Sequence, residues 1–380
     1  MSTVPIGYAV PVALLAFATT VALVAPRPKH TTPSHWSHWV AFQINEQPFI
    51  GLYVLVAISA LGLAQGDLSS PGGLVAFGVA VLTAAGLVVL ARRALSAGPA
   101  LRAALREGAG IDVPPARRPW KHILLAPLAV RRRDVTRVAN LSYGDAGRRN
   151  LLDVYHGRDR PTGGGVLVFM HGGGFRTGHK NREGRALLNH LAAQGWVCVS
   201  ANYRLAPAAR YPDYLVDAKK VIAWVRDHAA DYGADPRTIV ASGSSAGAHL
   251  ASMLALTRND PAFQPGFESA DTSVTAAVGF YGYYGRAAGA GSSPVDRAGD
   301  APPLFFVHGD NDSSTLVEDT RTLVARLRTT STQPVLYAEL PGAQHTFDLF
   351  FSLRYSYVIE AVAAFCTWLH TNQVTGRASL

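Results

Sequence analysis

Hydrophobic and polar positions divide the chain into two unlike parts. Over residues 5–25, 49–64 and 73–91 no charged side chain interrupts an apolar run. From about residue 137 the apolar runs shorten and alternate with stretches of helical spacing. A helix that crosses a bilayer needs roughly 17–25 apolar residues. The first and third runs, 21 and 19 residues long, therefore predict spanning helices. The second, at 16 residues, is marginal and reads as a third span, a re-entrant segment or a tilted partner. A cleaved signal peptide does not fit the first run, because Met1-Ser2-Thr3-Val4 lacks a basic n-region and the run is too long.

The second part predicts a sheet with helices. Residues 138–142 and 150–155 read as a hairpin joined by Gly144-Asp145-Ala146-Gly147. Continuous apolar strands follow at 166–170, 196–201, 238–241, 274–280, 304–307 and 335–340. Helical spacing occupies 182–194, 213–228, 248–256, 315–328 and 355–369. Such alternation predicts an α/β domain over 137–380, its sheet mostly parallel, with helices on both faces.

Charge sharpens the division. The net charge is +9, and residues 1–136 hold 12 Lys/Arg against 5 Asp/Glu, whereas 137–380 hold 23 against 21. The basic excess thus sits beside the apolar runs, so its expected partner is lipid and not nucleic acid. Arg27 and Lys29 follow the first run, the loop around Asp67 has no basic residue, and residues 92–133 hold ten. By the positive-inside rule this predicts a multi-pass protein of the cell membrane with its C-terminal domain on the cytoplasmic side. Residues 92–136 are expected to be a basic interfacial linker, with 92–121 partly covering the site as a lid.

Cysteine and histidine change little. Cys198 and Cys366 each lie in an apolar element and are expected as small core residues, without a disulfide framework. His30, His35 and His38 lack carboxylate or cysteine company and stand among Trp36 and Trp39. They read as interfacial residues, and no metal site is expected.

The candidate chemistry lies at strand ends, where open α/β sheets place their ligands. Gly243-Ser244-Ser245-Ala246-Gly247 matches G-x-S-x-G, a sharp strand-to-helix turn that exposes a nucleophilic serine. His171-Gly172-Gly173-Gly174-Phe175 leaves backbone N–H groups bare of side chains. The N–H groups of Gly173, Gly174 and Ala246 are the expected oxyanion donors, with His171 orienting the loop. His308-Gly309-Asp310-Asn311-Asp312 offers two carboxylates. Asp312, further from its strand, is the better placed to reach a histidine, and Asp310 is expected to brace the turn. His345, in Gly342-Ala343-Gln344-His345-Thr346-Phe347, is the expected base. A serine is inert at its free pKa and needs such a base beside it.

These motifs, together with Asn202-Tyr203-Arg204-Leu205-Ala206-Pro207, resemble the hormone-sensitive-lipase-like branch of the α/β-hydrolases over residues 141–369. The resemblance implies an α/β-hydrolase fold, hydrolysis of carboxylic esters and no cofactor. It supports Asp312 as the acid. Three positions depart from the branch: Ala208 replaces a common glutamate, Ser244 an aspartate and Ala248 a glycine. The opening of the domain and Gly178-His179-Lys180 also look like prenylcysteine methylesterases and kynurenine formamidases. The whole arrangement is similar to membrane-anchored mycobacterial-type esterases. Expected substrates are small-molecule or lipid esters. An amidase-type hydrolase, such as a formamidase, and a non-catalytic membrane scaffold are the alternatives that sequence leaves open.

Overall fold

A computed structural model describes residues 4–24, 40–114, 118–159 and 163–376. Arg27, Lys29 and the His30–Trp39 stretch lie outside the described residues.

Among the described residues, eight strands form one sheet: β1 (Val135–Ser142), β2 (Leu151–Gly157), β3 (Gly164–Met170), β4 (Val197–Ala201), β5 (Ala234–Ser244), β6 (Ala276–Phe280), β7 (Leu304–Gly309) and β8 (Val335–Leu340). Their spatial order is β1-β2-β4-β3-β5-β6-β7-β8. β2 runs antiparallel to both β1 and β4, and every later pairing is parallel. Side chains alternate across a strand, and this splits the core in two. Val166, Val168 and Met170 of β3 face one way, into a layer with α8 (Asp213–His228), α9 (Ala246–Leu256) and α10 (Val317–Thr330). Leu167 and Phe169 face the other, into a layer with α7 (Arg185–Ala193) and α11 (Leu353–Val374). Cys198 and Cys366 are buried free thiols of that second layer.

The N-terminal part is helical: α1 (Ile6–Val24), α2 (Val40–Glu46), α3 (Pro48–Ala64), α4 (Pro71–Leu95), α5 (Ala97–Ala109) and α6 (Trp120–Leu125). Leu55, Ala80 and Leu87 pack between α1, α3 and α4. The outward faces are also apolar, with Ile6, Val56, Val75 and Leu82 each more than 65 % exposed. A helix that is apolar all round suits lipid better than water. α1 and the helix that begins at Pro71 are long and apolar enough to cross a membrane, while α2 and α3 pass that test only as a pair bent by 93°. The marginal second run is itself the unbroken α3, and the bend lies just before it at Gln47.

The expected lid is elsewhere. α5 lays Ala97, Leu101 and Leu105 into the layer beside Leu336 of β8 and Val358 of α11. Ile111 and Val130 join the same cluster. No described residue of 92–121 lines the cavity at the carboxyl ends of the strands. The reason is the i, i+4 apolar face of α5, which outweighs its basic residues: burying a leucine contributes about 1.5–3 kcal/mol. Within the stretch expected as an interfacial linker, α5 with Ile111 and Val130 is instead a layer of the catalytic domain, covering the face of β8. Leu101→Ala should accordingly destabilise the domain by about 2–5 kcal/mol, read as a lower unfolding temperature of the full chain in detergent. An unchanged midpoint would return α5 to the surface.

Candidate active site

The carboxyl ends of β3, β5, β7 and β8 converge on one cavity of about 780 Å³. Gly172, Gly173, Gly174, Ser245, Ala246 and His345 all line it.

Ser245 joins β5 to α9 with φ 54° and ψ −116°. A non-glycine residue rarely adopts positive φ, and surroundings must hold it there. Its N–H donates to Phe280 O at 2.9 Å, and its carbonyl accepts from Ala248 N at 3.0 Å. The turn is tight because Gly247 presses on β3: a Cβ there would stand 2.0 Å from Met170 O. The glycine spacing of the motif is thus a packing requirement between neighbouring strand ends.

The glycine loop after β3 turns back through Gly173 (φ 116°), Gly174 (φ 60°) and Phe175 (φ 60°). Among the described residues the N–H groups of Gly173 and Gly174 make no hydrogen bond. His171 sits beneath, stacked on Tyr203 at 4.3 Å, with Nδ1 donating to Gly172 O at 2.7 Å. Burial lowers its pKa to about 4, so it is a neutral brace. The Tyr-Arg-Leu-Ala-Pro string has its task here too. The Tyr203 hydroxyl donates to His171 O at 2.8 Å, and Ala206 N donates to Phe175 O at 2.8 Å. Arg204 grips Asp217 with Nε and Nη2 at 2.8–3.0 Å, tying the string to α8.

Asp312 follows β7 and meets the residue expected of it. Its Oδ2 accepts from His345 Nδ1 at 2.6 Å and lies 3.2 Å from His308 Nε2. Its Oδ1 accepts from Ser314 N at 2.8 Å and Thr315 N at 2.9 Å. Burial works to raise this carboxyl, but the imidazoles of His345 and His308 outweigh it and hold Asp312 far below the usual carboxylate range. Asp310 instead accepts from Gly342 N at 2.6 Å, bracing the loop that carries His345.

Two carboxylates were not legible as site residues. Asp348, fully buried, accepts from Ser244 Oγ at 2.6 Å and from the Tyr281 hydroxyl. Burial raises its pKa. Where the branch has aspartate before the nucleophile, this chain has Ser244 and draws the carboxylate from the loop after His345. Glu183 lines the cavity, and its Oε1 lies 3.2 Å from Arg182 Nε. The serine at 244 was the one available signal for Asp348; Glu183 stands in no motif.

Fold and geometry define an α/β-hydrolase, with a serine at the elbow, an Asp–His pair opposite and a glycine loop between. The chain belongs to the hormone-sensitive-lipase-like α/β-hydrolase esterases, and it is a carboxylic ester hydrolase. The BD-FAE family profile matches residues 152–285. The probable carboxylic ester hydrolase LipM of Mycobacterium tuberculosis is 38 % identical over 96 % of this chain and 94 % of its own length. Esterase LipQ of the same organism is 38 % identical over 65 % of this chain and 66 % of its own. Among solved structures, the butyrate-bound esterase 2 of Thermogutta terrifontis is 25 % identical, with a TM-score of 0.54, covering 60 % of this chain and 93 % of its own. The likeness to LipM includes the N-terminal helices.

Glu183 yields a pH test. Burial, then the Asp348 carboxylate, raises it from 4.5 to about 7. Between these values the unfolded chain is ionised while the fold keeps the proton, so stability falls as pH rises from 4.5 through 7. Glu183→Gln should therefore match the wild type near pH 4.5 and exceed it at pH 8, by on the order of 3 kcal/mol. Denaturant midpoints at the two pH values measure this; a gain of equal size at both would contradict it.

Proposed function

We propose that Ser245, His345 and Asp312 form a catalytic triad that cleaves carboxylic esters through an acyl-enzyme, in a protein anchored in the cell membrane with its catalytic domain on the cytoplasmic side. The observation that carries the reading is the 2.6 Å contact between His345 Nδ1 and Asp312 Oδ2, in a cavity shared with Ser245. Asp312 fixes the tautomer that leaves Nε2 as acceptor. His345 takes the proton of Ser245 Oγ as the oxygen attacks the ester carbonyl. The carbonyl π pair moves onto oxygen, and the N–H groups of Gly173, Gly174 and Ala246 stabilise that charge, each at about 2.7–4 kcal/mol. The tetrahedral species then collapses, and His345 protonates the departing alkoxide. Water, deprotonated by the same imidazole, attacks the acyl-serine; the acid leaves and Ser245 regains its proton.

The membrane half of the reading is supported by α1, α4 and the bent α2–α3 pair, and its orientation by Arg92 and Arg93 in the last turn of α4.

A fluorophosphonate probe should label the full chain, and Ser245→Ala should abolish the label. Asp312→Asn should lower kcat by about 10⁴, whereas Asp310→Asn, which only loosens Gly342, should cost far less. Loss of turnover in Asp310→Asn alone would transfer the acid role to that residue. A protease-protection assay on sealed vesicles checks the side of the membrane.

A further inference from the structure

The bent helix pair does more than anchor. Asn45, Glu46 and Gln47 are three consecutive polar residues, all buried. Each one bonds into the segment around and beyond His345. Asn45 Nδ2 donates to Gly342 O at 2.8 Å, Gln47 Nε2 donates to Phe351 O at 3.1 Å, and Glu46 pairs with Arg354 while accepting from Ser352 Oγ at 2.8 Å. The side chains of Glu46 and Arg354 are 1 % and 0 % exposed. α2 is therefore fixed against the catalytic domain. Because it meets α3 at 93°, α2 runs along the membrane surface if α3 crosses the membrane.

Seated this way, α2 turns Phe42 into the catalytic cavity. Phe42 lines it beside Leu349 and stacks on Phe350 at 6.0 Å. The surface flanking the same loop is apolar and open. Leu125 and Leu128 are 74 % and 70 % exposed, and Trp120 is 46 % exposed. Pro127 O accepts from Phe351 N at 2.9 Å, so this belt is joined to the loop by its backbone. Ala94 at the end of α4 and Phe49 at the start of α3 pack with Ile123 of the belt, and Arg93 donates to Leu23 O at the end of α1, so these helix ends lie beside the belt. Exposed leucines with a tryptophan, level with helix ends and basic residues, have the composition of a bilayer interface.

We propose that α2 is a wall of the active site, that Phe42 selects for the acyl chain, and that the substrates are lipid esters drawn from the bilayer across the Trp120–Leu128 belt. The inference rests on the reading of Ser245 as nucleophile. A chain that moves from bilayer to cavity along apolar surface keeps its apolar area out of water throughout. A water-borne ester needs no such path.

The test uses the full chain in phosphatidylcholine vesicles, with p-nitrophenyl butyrate in solution and dioleoylglycerol in the bilayer. The double variant Leu125→Asp with Leu128→Asp should keep butyrate turnover and lose about tenfold on dioleoylglycerol. Phe42→Ala should lower the ratio of kcat/KM for p-nitrophenyl laurate over butyrate about tenfold, and Phe42→Leu should restore most of it. The inference is overturned if the wild type cleaves butyrate but not dioleoylglycerol. It is equally overturned if the belt variant loses both activities alike, or if Phe42→Ala leaves the ratio unchanged. Butyrate turnover that survives Ser245→Ala is a separate outcome: it removes the nucleophile reading, and this inference with it.

Discussion

Two charges taken out of water must face each other or cost several kcal/mol apiece. Glu46 and Arg354 are under that constraint, and much of the site depends on how they meet it. One stands at the bend between α2 and α3, the other in the first turn of α11. Breaking such a pair is worse than never having it, because the remaining charge stays buried. The pair thus fixes the distance between the bent α2–α3 pair and the loop that carries His345. Asn45 and Gln47 add direction, since neutral hydrogen bonds to Gly342 O and Phe351 O hold only in one orientation. The loop is braced again from the sheet by Asp310 and from the elbow by Ser244 through Asp348. An imidazole held from several independent sides keeps its aim without relying on any single contact.

The Ser244–Asp348 bond shows how a departure from a family pattern is absorbed. A carboxylate beside the elbow can hold the Tyr281 hydroxyl and the backbone around it, whichever strand end supplies it. Here the loop after β8 supplies it and β5 supplies a hydroxyl. The exchange couples the strand that leads to Ser245 to the loop that carries His345 by a buried side-chain bond of 2.6 Å. It also brings Asp348 near Glu183, and two carboxylates in one buried region cannot both ionise cheaply. Burial raises the pKa of both, and for Glu183 the nearby Asp348 carboxylate adds to it.

What could be read from the chain alone follows from how local each constraint is. The strands, the elbow, the glycine loop, Asp312 and His345 are written in short contiguous strings, because a strand end and its turn are set by neighbours in sequence. Asp312 and Asp310 were separable by reach, and the contacts to His345 and Gly342 divide them in that way. The Tyr-Arg-Leu-Ala-Pro string was visible as a family mark, but its purpose needed Tyr203 placed under His171. Phe42, Glu183 and Asp348 were not legible. Each enters the site across a tertiary contact, and none carries a spacing that announces it. α5 misled for a related reason. Its arginines lie in sequence beside the apolar runs, while its narrow leucine face is recognisable only when β8 is there to receive it.

The same logic bears on why helices and hydrolase domain form one unit. A tether that only localises an enzyme would be joined by an exposed, polar linker. Here Ala97, Leu101, Leu105, Ile111 and Val130 of the connecting region join the core of the sheet domain, and residues 45–47 bond to the segment from Gly342 to Arg354. The likeness to LipM runs through both halves. Buried polar contacts between two parts are costly to acquire piecemeal, because either half alone leaves charges unpaired. Both halves are needed to pair these charges, so the N-terminal helices act as structural elements of the catalytic domain.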